Sequence, residues 1–134
     1  MGNWEISIDS IIRPPGSTSV EAVTHHVSAL FGILADPAVG PLLRNVIAAS
    51  ASDPAIERAL LDQWIVPRRA AVADTLRDAV DRGELPADVD IEVAVDALVS
   101  APYYRLMFGM PPLDSVAVDR LVQTVWQGCS WPPD

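Results

Sequence analysis

The stretch from Asp88 to Cys129 constrains this chain more than any other. Two helical patterns are joined there by a Pro-rich corner, Gly109-Met110-Pro111-Pro112. The first carries Ile91, Val95, Leu98 and Leu106 on one face, and Val93, Ala97, Tyr104 and Phe108 on another. A helix that is apolar on two faces must be covered from two sides. The second carries Val118, Leu121, Val122 and Val125 on one stripe, opposite Asp119, Arg120, Gln123 and Gln127. A short link makes the pair antiparallel neighbours. A lone hairpin has too little partner surface for the additional apolar face, and the economical cover is a second copy, giving a two-fold four-helix bundle.

Upstream, helix signals follow one another with no strand signal between them. Thr18 and Glu21 form a capping box before the stripe Val20, Val23, Val27, Leu30, Phe31 and Leu34. Ala22, His25, Ala29 and Gly32 form a second stripe of small residues with one imidazole. Asp36-Pro37 and Asp53-Pro54 each pair a capping carboxylate with a proline at the first helical position. The first predicts a helix to about Ala49. The second predicts one from Pro54 to Arg82, roughly 40 Å long if continuous, with a bend where Pro67 removes the donor for the Gln63 carbonyl. Arg58–Asp62, Arg77–Asp81 and Asp78–Arg82 have i,i+4 spacing on its wet side. Gly83 and Pro86 end the element. In residues 1–17, Trp4, Ile6 and Ile8 alternate like a strand, while Trp4, Ile8, Ile11 and Ile12 fit a helical stripe. The reading favours a short helix stopped by Pro14-Pro15-Gly16. In the tail, 130–134, order depends on Trp131 finding a groove.

The organisation of residues 18–129 resembles the C-terminal domain of TetR-family transcriptional regulators. The residues that carry the likeness are Arg68-Arg69, Arg82-Gly83-Glu84-Leu85, Asp88-Val89-Asp90, Ala101-Pro102-Tyr103-Tyr104-Arg105-Leu106, Pro112-Leu113-Asp114 and Val118-Asp119-Arg120-Leu121-Val122, in that order and spacing. The resemblance implies an all-α antiparallel bundle that dimerises through its last two long helices, with a small-molecule pocket enclosed by the helices before them. It also implies that residues 1–17 end a helix descending from a helix-turn-helix DNA reader, which these residues do not contain. Three readings of that gap are open: a fragment, a start codon called too late, or a headless relative able to pair with an intact regulator.

Composition narrows the partners. Net charge is −9, all nine positive charges are Arg, and eight carboxylates crowd Asp74–Asp96. Such a surface repels phosphate backbones, so this chain alone is not expected to bind nucleic acid. One cysteine, Cys129, excludes an internal disulfide and reads as a bystander thiol. The opening residues lack a basic, apolar leader and no apolar run spans a bilayer, so the expected location is cytoplasmic and no membrane partner is expected.

Catalytic signatures are lacking: no G-x-S-x-G, no Gly-rich phosphate loop, no H-E-x-x-H and no C-x-x-C. No cofactor, metal or catalytic residue is expected. His25 and His26 point about 100° apart on a helix and cannot share one metal. His26 reads as a core or pocket-edge residue and His25 as the better ligand contact. The expected pocket, for a small lipophilic effector, lies between the Thr18, Pro54 and Asp90 helices and is lined by His25, Phe31, Trp64, Tyr103 and Met107. The expected homodimer seam contains Leu98, Tyr104, Phe108, Leu121, Val122 and Val125. Two other function classes fit the same residues: a small helical ligand carrier or enzyme, and a helical interaction module with a full core.

Overall fold

The computed structural model describes residues 18–130, and every regular element among them is helical. The short helix expected in residues 1–17 and a groove for Trp131 lie outside the described residues. Helix α1 (Ser19–Ala35) is the centre of the packing, touching α4 (Val66–Asp81), α5 (Ile91–Met107) and α6 (Ser115–Cys129). Its sequence explains that position. Val23, Val27, Leu30, Phe31 and Leu34 are buried along one side, and Ala22 and His26 are buried beside them. A small residue at 22 lets a neighbouring helix approach closely. The capping box forms as expected: Thr18 Oγ1 accepts from the Glu21 amide at 3.2 Å, and Glu21 accepts from the Thr18 amide at 3.3 Å. Thr18 also holds the Glu21 carboxyl below the usual carboxylate range through its side-chain and backbone hydrogen bonds.

Helix α2 (Gly40–Ser50) turns 91° from α1. It begins later than the Asp36-Pro37 pair predicts. Asp36 accepts from the Ala38 amide through Oδ1 and from the Val39 and Gly40 amides through its carbonyl, so the pair makes a tight turn first. Gly40 explains the delay. A Cβ there would lie 2.3 Å from the Leu34 carbonyl oxygen, so the corner closes only on glycine. Gly40→Ala should therefore destabilise the domain by about 2–3 kcal/mol, lowering the thermal midpoint by roughly 10 °C. An unchanged melting curve would show that the α1–α2 corner opens at little cost.

Just before Pro67, where the sequence predicts a bend, the Pro54 helix is interrupted by a π turn. Helix α3 (Pro54–Leu60) passes through a π turn (Leu61–Ile65) into α4. The Val66 amide bonds to the Leu61 carbonyl, five residues back, in the turn before Pro67. Asp53 caps α3 through its side chain, accepting from the Ala55 and Ile56 amides. On α4, Arg82 pairs with Asp78 at 3.2 Å as expected, while Arg77 pairs with Asp74 at 3.1 Å rather than with Asp81. Gly83, with φ +76°, ends α4, and the Glu84 amide bonds back to the Ala79 carbonyl. Arg69 bridges α4 to α5 by pairing with Glu92, at 2.8 Å, and with Asp96.

The final hairpin forms. Asp90 and Asp114 cap α5 and α6, accepting from the Val93 and Ala117 amides. Gly109, with φ +67°, turns the corner, and Arg105 Nη1 donates to the Pro111 carbonyl at 2.9 Å. The expected seam divides between inside and outside. Leu98 and Val122 are corrected to core residues of the single chain, 1% and 0% exposed, because their stripes face the interior of the bundle. Leu121 and Val125 are half-buried against that core. Tyr104 and Phe108 remain outside, 58% and 72% exposed, their rings 5.2 Å apart. Val93 and Ala97 lie exposed on the same face of α5, so the second apolar flank stays uncovered in one copy. No single helix among the described residues is long and apolar enough to cross a membrane.

Candidate functional site

An apolar hollow of ligand size lies between α2 and α3, away from the position expected between α1, α4 and α5. Leu42, Leu43 and Val46 of α2 face Ile56, Ala59 and Leu60 of α3, with Val39 at one end and Trp64 of the π turn among the lining residues. Its volume is about 320 Å³, at the small end of the usual range of about 300–1,000 Å³. The hollow arises because two short amphipathic helices diverge from the Ala51–Asp53 turn. Leu43 turns into the core while Leu42, 63% exposed, stays at the rim.

Trp64 is the residue through which the cleft communicates with the interior. It is buried, and its Nε1–H donates to the Tyr103 hydroxyl at 2.8 Å. The Arg68 guanidinium stacks on the indole, Cζ 3.5 Å from the ring centroid. Arg68 Nη1 donates to the Trp64 carbonyl at 3.2 Å, while the buried Nη2 has no hydrogen-bond partner. Burial lowers the pKa of Arg68, partly offset by Tyr103, yet a guanidinium keeps its proton at any working pH. Burial likewise pushes the Tyr103 phenol up, against the Trp64 hydrogen bond and the charge of Arg68. A buried ion without a counter-ion costs several kcal/mol, and an indole stack offsets only about 1–2 kcal/mol of that.

The structure brings together two of the five expected pocket residues. Trp64 lines the cleft and Tyr103 holds its indole from α5. Phe31 is in the core, beside a crevice of about 60 Å³ with Pro102, Arg105 and Met110. His25 and Met107 are half-buried and line neither hollow. The more deeply placed histidine is His26. Thr75 Oγ1 donates to the Ala71 carbonyl, so it accepts from His26 Nε2 at 3.0 Å, leaving the buried Nδ1 unpartnered. Leu42, Val46, Ile56 and Ala59 are cleft residues that sequence reasoning did not single out. Their signal was present as two facing i,i+3 and i,i+4 apolar spacings across the Asp53-Pro54 turn. No three His, Cys, Asp or Glu side chains gather as a metal set among the described residues.

A further hollow, about 410 Å³, lies where the start of α5 meets the end of α6. Asp88 and Asp90 stand at its edge, with Val93, Ala97, Val125 and Cys129 in its walls. It opens on the same outer side as the uncovered apolar flank of α5.

The tetracyclin repressor-like C-terminal domain model matches residues 15–125. The chain belongs to that family. The TetR-type domain is similar to the uncharacterized HTH-type transcriptional regulator YdeS of Bacillus subtilis (strain 168), at 25% identity over 120 residues. That match covers 90% of this chain and 60% of YdeS. The crystal structure of TetR family transcription regulator SCO0332 superposes with a TM-score of 0.80 at 28% identity, over 90% of this chain and 66% of that one. The chain thus spans less than two thirds of the length of each, and both relatives are named transcription regulators.

Proposed function

We propose that this TetR-type domain senses a small lipophilic effector in the α2–α3 cleft and pairs as a homodimer through the outer faces of α5 and α6. The observation that carries the reading is the cleft, apolar on both walls and bounded by an aromatic ring tied to the hairpin. Trp64 connects the two: its indole touches the cleft, and Tyr103, which receives its N–H, sits next to Tyr104 on the exposed flank. An occupant that displaces Trp64 would therefore act on α5. In a complete regulator, acting as a repressor with a helix-turn-helix reader ahead of this domain, the ligand would bias the spacing of two DNA-reading heads. It can do so only by binding one spacing more tightly than the other.

Nile red, neutral and lipophilic, tests the cleft. Its fluorescence should rise on binding, and Ala59→Trp, which fills the cleft, should reduce binding at least about tenfold while helicity is retained. Binding that is unaffected by the filled cleft would move the site elsewhere.

A further inference from the structure

We propose that the effector is an amphipathic monocarboxylate, its hydrocarbon part in the α2–α3 cleft and its carboxylate on Arg68. The inference rests on the cleft being the effector site and adds the chemical class of its occupant. Arg68 is 5% exposed, and its Nη2 has no partner. No carboxylate among the described residues pairs with it, in a chain that carries eighteen. The adjacent Arg69 takes both Glu92 and Asp96, on the outer side of the α4–α5 contact. Arg68 is thus a permanent positive charge held inside a chain of net charge −9, with no ion-pair partner among the described residues.

A ligand that brings an anion gains most from such a group, because charge-assisted hydrogen bonds are roughly twice as strong as neutral ones. The surroundings suit a carboxylate in particular. The Tyr103 hydroxyl accepts from Trp64, so its own proton is available to a second acceptor, beside the free Nη2. The walls of the cleft are hydrocarbon, which a dianionic phosphate ester or a sugar would not match. Trp64 is shared: it lines the cleft and carries Arg68 on its ring, so a swing of the indole joins the apolar space to the cation.

The test compares acid and alcohol pairs of one shape: decanoate with 1-decanol, and 4-butylbenzoate with 4-butylbenzyl alcohol, titrated calorimetrically into the full chain at pH 7.5. At least one acid should bind about tenfold or more tighter than its alcohol. Arg68→Met should bring that acid to its alcohol's level and leave the alcohol within about twofold. Alcohols binding as well as acids, or an acid preference that survives Arg68→Met, would overturn the proposal while leaving the cleft reading intact. Binding of Nile red but of none of the four would do the same. Failure of Nile red as well would remove the cleft reading and this inference with it. If Arg68→Met does not fold, the acid–alcohol comparison in the wild-type chain and the Arg68→Lys variant, which should keep the acid preference, decide the matter.

Discussion

Glutamate in place of Val122 should unfold this domain, and glutamate in place of Phe108 should not. Both residues lie on the final hairpin, and a reading of apolar stripes alone assigns both to one seam. Val122 is 0% exposed in the single chain and packs with Val118 in the main core. Val122→Glu forfeits about 2 kcal/mol of apolar burial and places a carboxylate where it must be desolvated or protonated, a penalty of several kcal/mol. Together these approach the whole stability of a typical domain, about 5–15 kcal/mol. The cooperative thermal transition should vanish or fall by 20 °C or more, by roughly 4 °C per kcal/mol. Phe108 is 72% exposed and contacts Tyr104. Phe108→Glu should leave the helical circular dichroism intact and shift sedimentation towards monomer at micromolar concentration. If Val122→Glu folds normally and sediments as a monomer, Val122 belongs to an interface and the described packing is wrong. If Phe108→Glu leaves a dimer untouched, the flank of α5 is not where two copies meet.

That contrast shows which parts of the architecture sequence could reveal. Caps and stops were legible because they are local: Thr18 with Glu21, Asp53 before Pro54, and Gly83 after α4 each act within a few residues. An irregularity near Pro67 was legible for the same reason, since Pro67 lacks an N–H, but its form, a π turn over Leu61–Ile65, was not. The two apolar faces of α5 were legible as periodicity, and one of them does remain uncovered. What periodicity could not say is which stripe turns inward. An amphipathic stripe reads alike whether its cover is α1 of the same chain or α5 of another, and so sequence alone assigns Leu98 and Val122 to the seam.

The candidate site was less legible because it depends on distant pairs and on one angle. Trp64 meets Tyr103 across 39 residues, and His26 meets Thr75 across 49. The cleft lies between α2 and α3, and α2 itself is set by its 91° turn from α1, where Gly40 closes against the Leu34 carbonyl. Nothing in residue spacing encodes that angle. Arg68 and Arg69 are adjacent and chemically identical, yet one reaches two carboxylates while the other is stacked and buried. Their separation follows from the phase of the helix after the π turn.

Acid should weaken the fold through His26, and the loss should fall in a defined window. The ring is buried between α1 and α4, its Nε2–H held by Thr75 and its Nδ1 without an acceptor for a second proton. Burial, with a smaller contribution from the neighbouring His25, lowers its pKa from 6.5 to about 4. Above pH 6.5 both folded and unfolded chains keep the ring neutral, and it contributes no pH dependence. Between 6.5 and about 4 the unfolded chain binds a proton that the folded chain refuses, so stability falls with pH. At about 1.4 kcal/mol per unit the accumulated loss is about 3 kcal/mol, complete below the folded pKa, where both states are protonated. His26→Gln isolates the effect, because glutamine can still donate to Thr75 and does not titrate. Denaturant melts of both proteins, taken every half unit from pH 7.5 to 4, should show their difference in stability constant above 6.5 and moving by about 3 kcal/mol in favour of the variant below it. Carboxylates such as Glu21 titrate in both proteins and cancel from that difference. A difference that stays flat across the window would mean that the folded ring takes up its proton as readily as the unfolded one, which the buried, unpartnered Nδ1 does not allow unless α1 and α4 part to admit water.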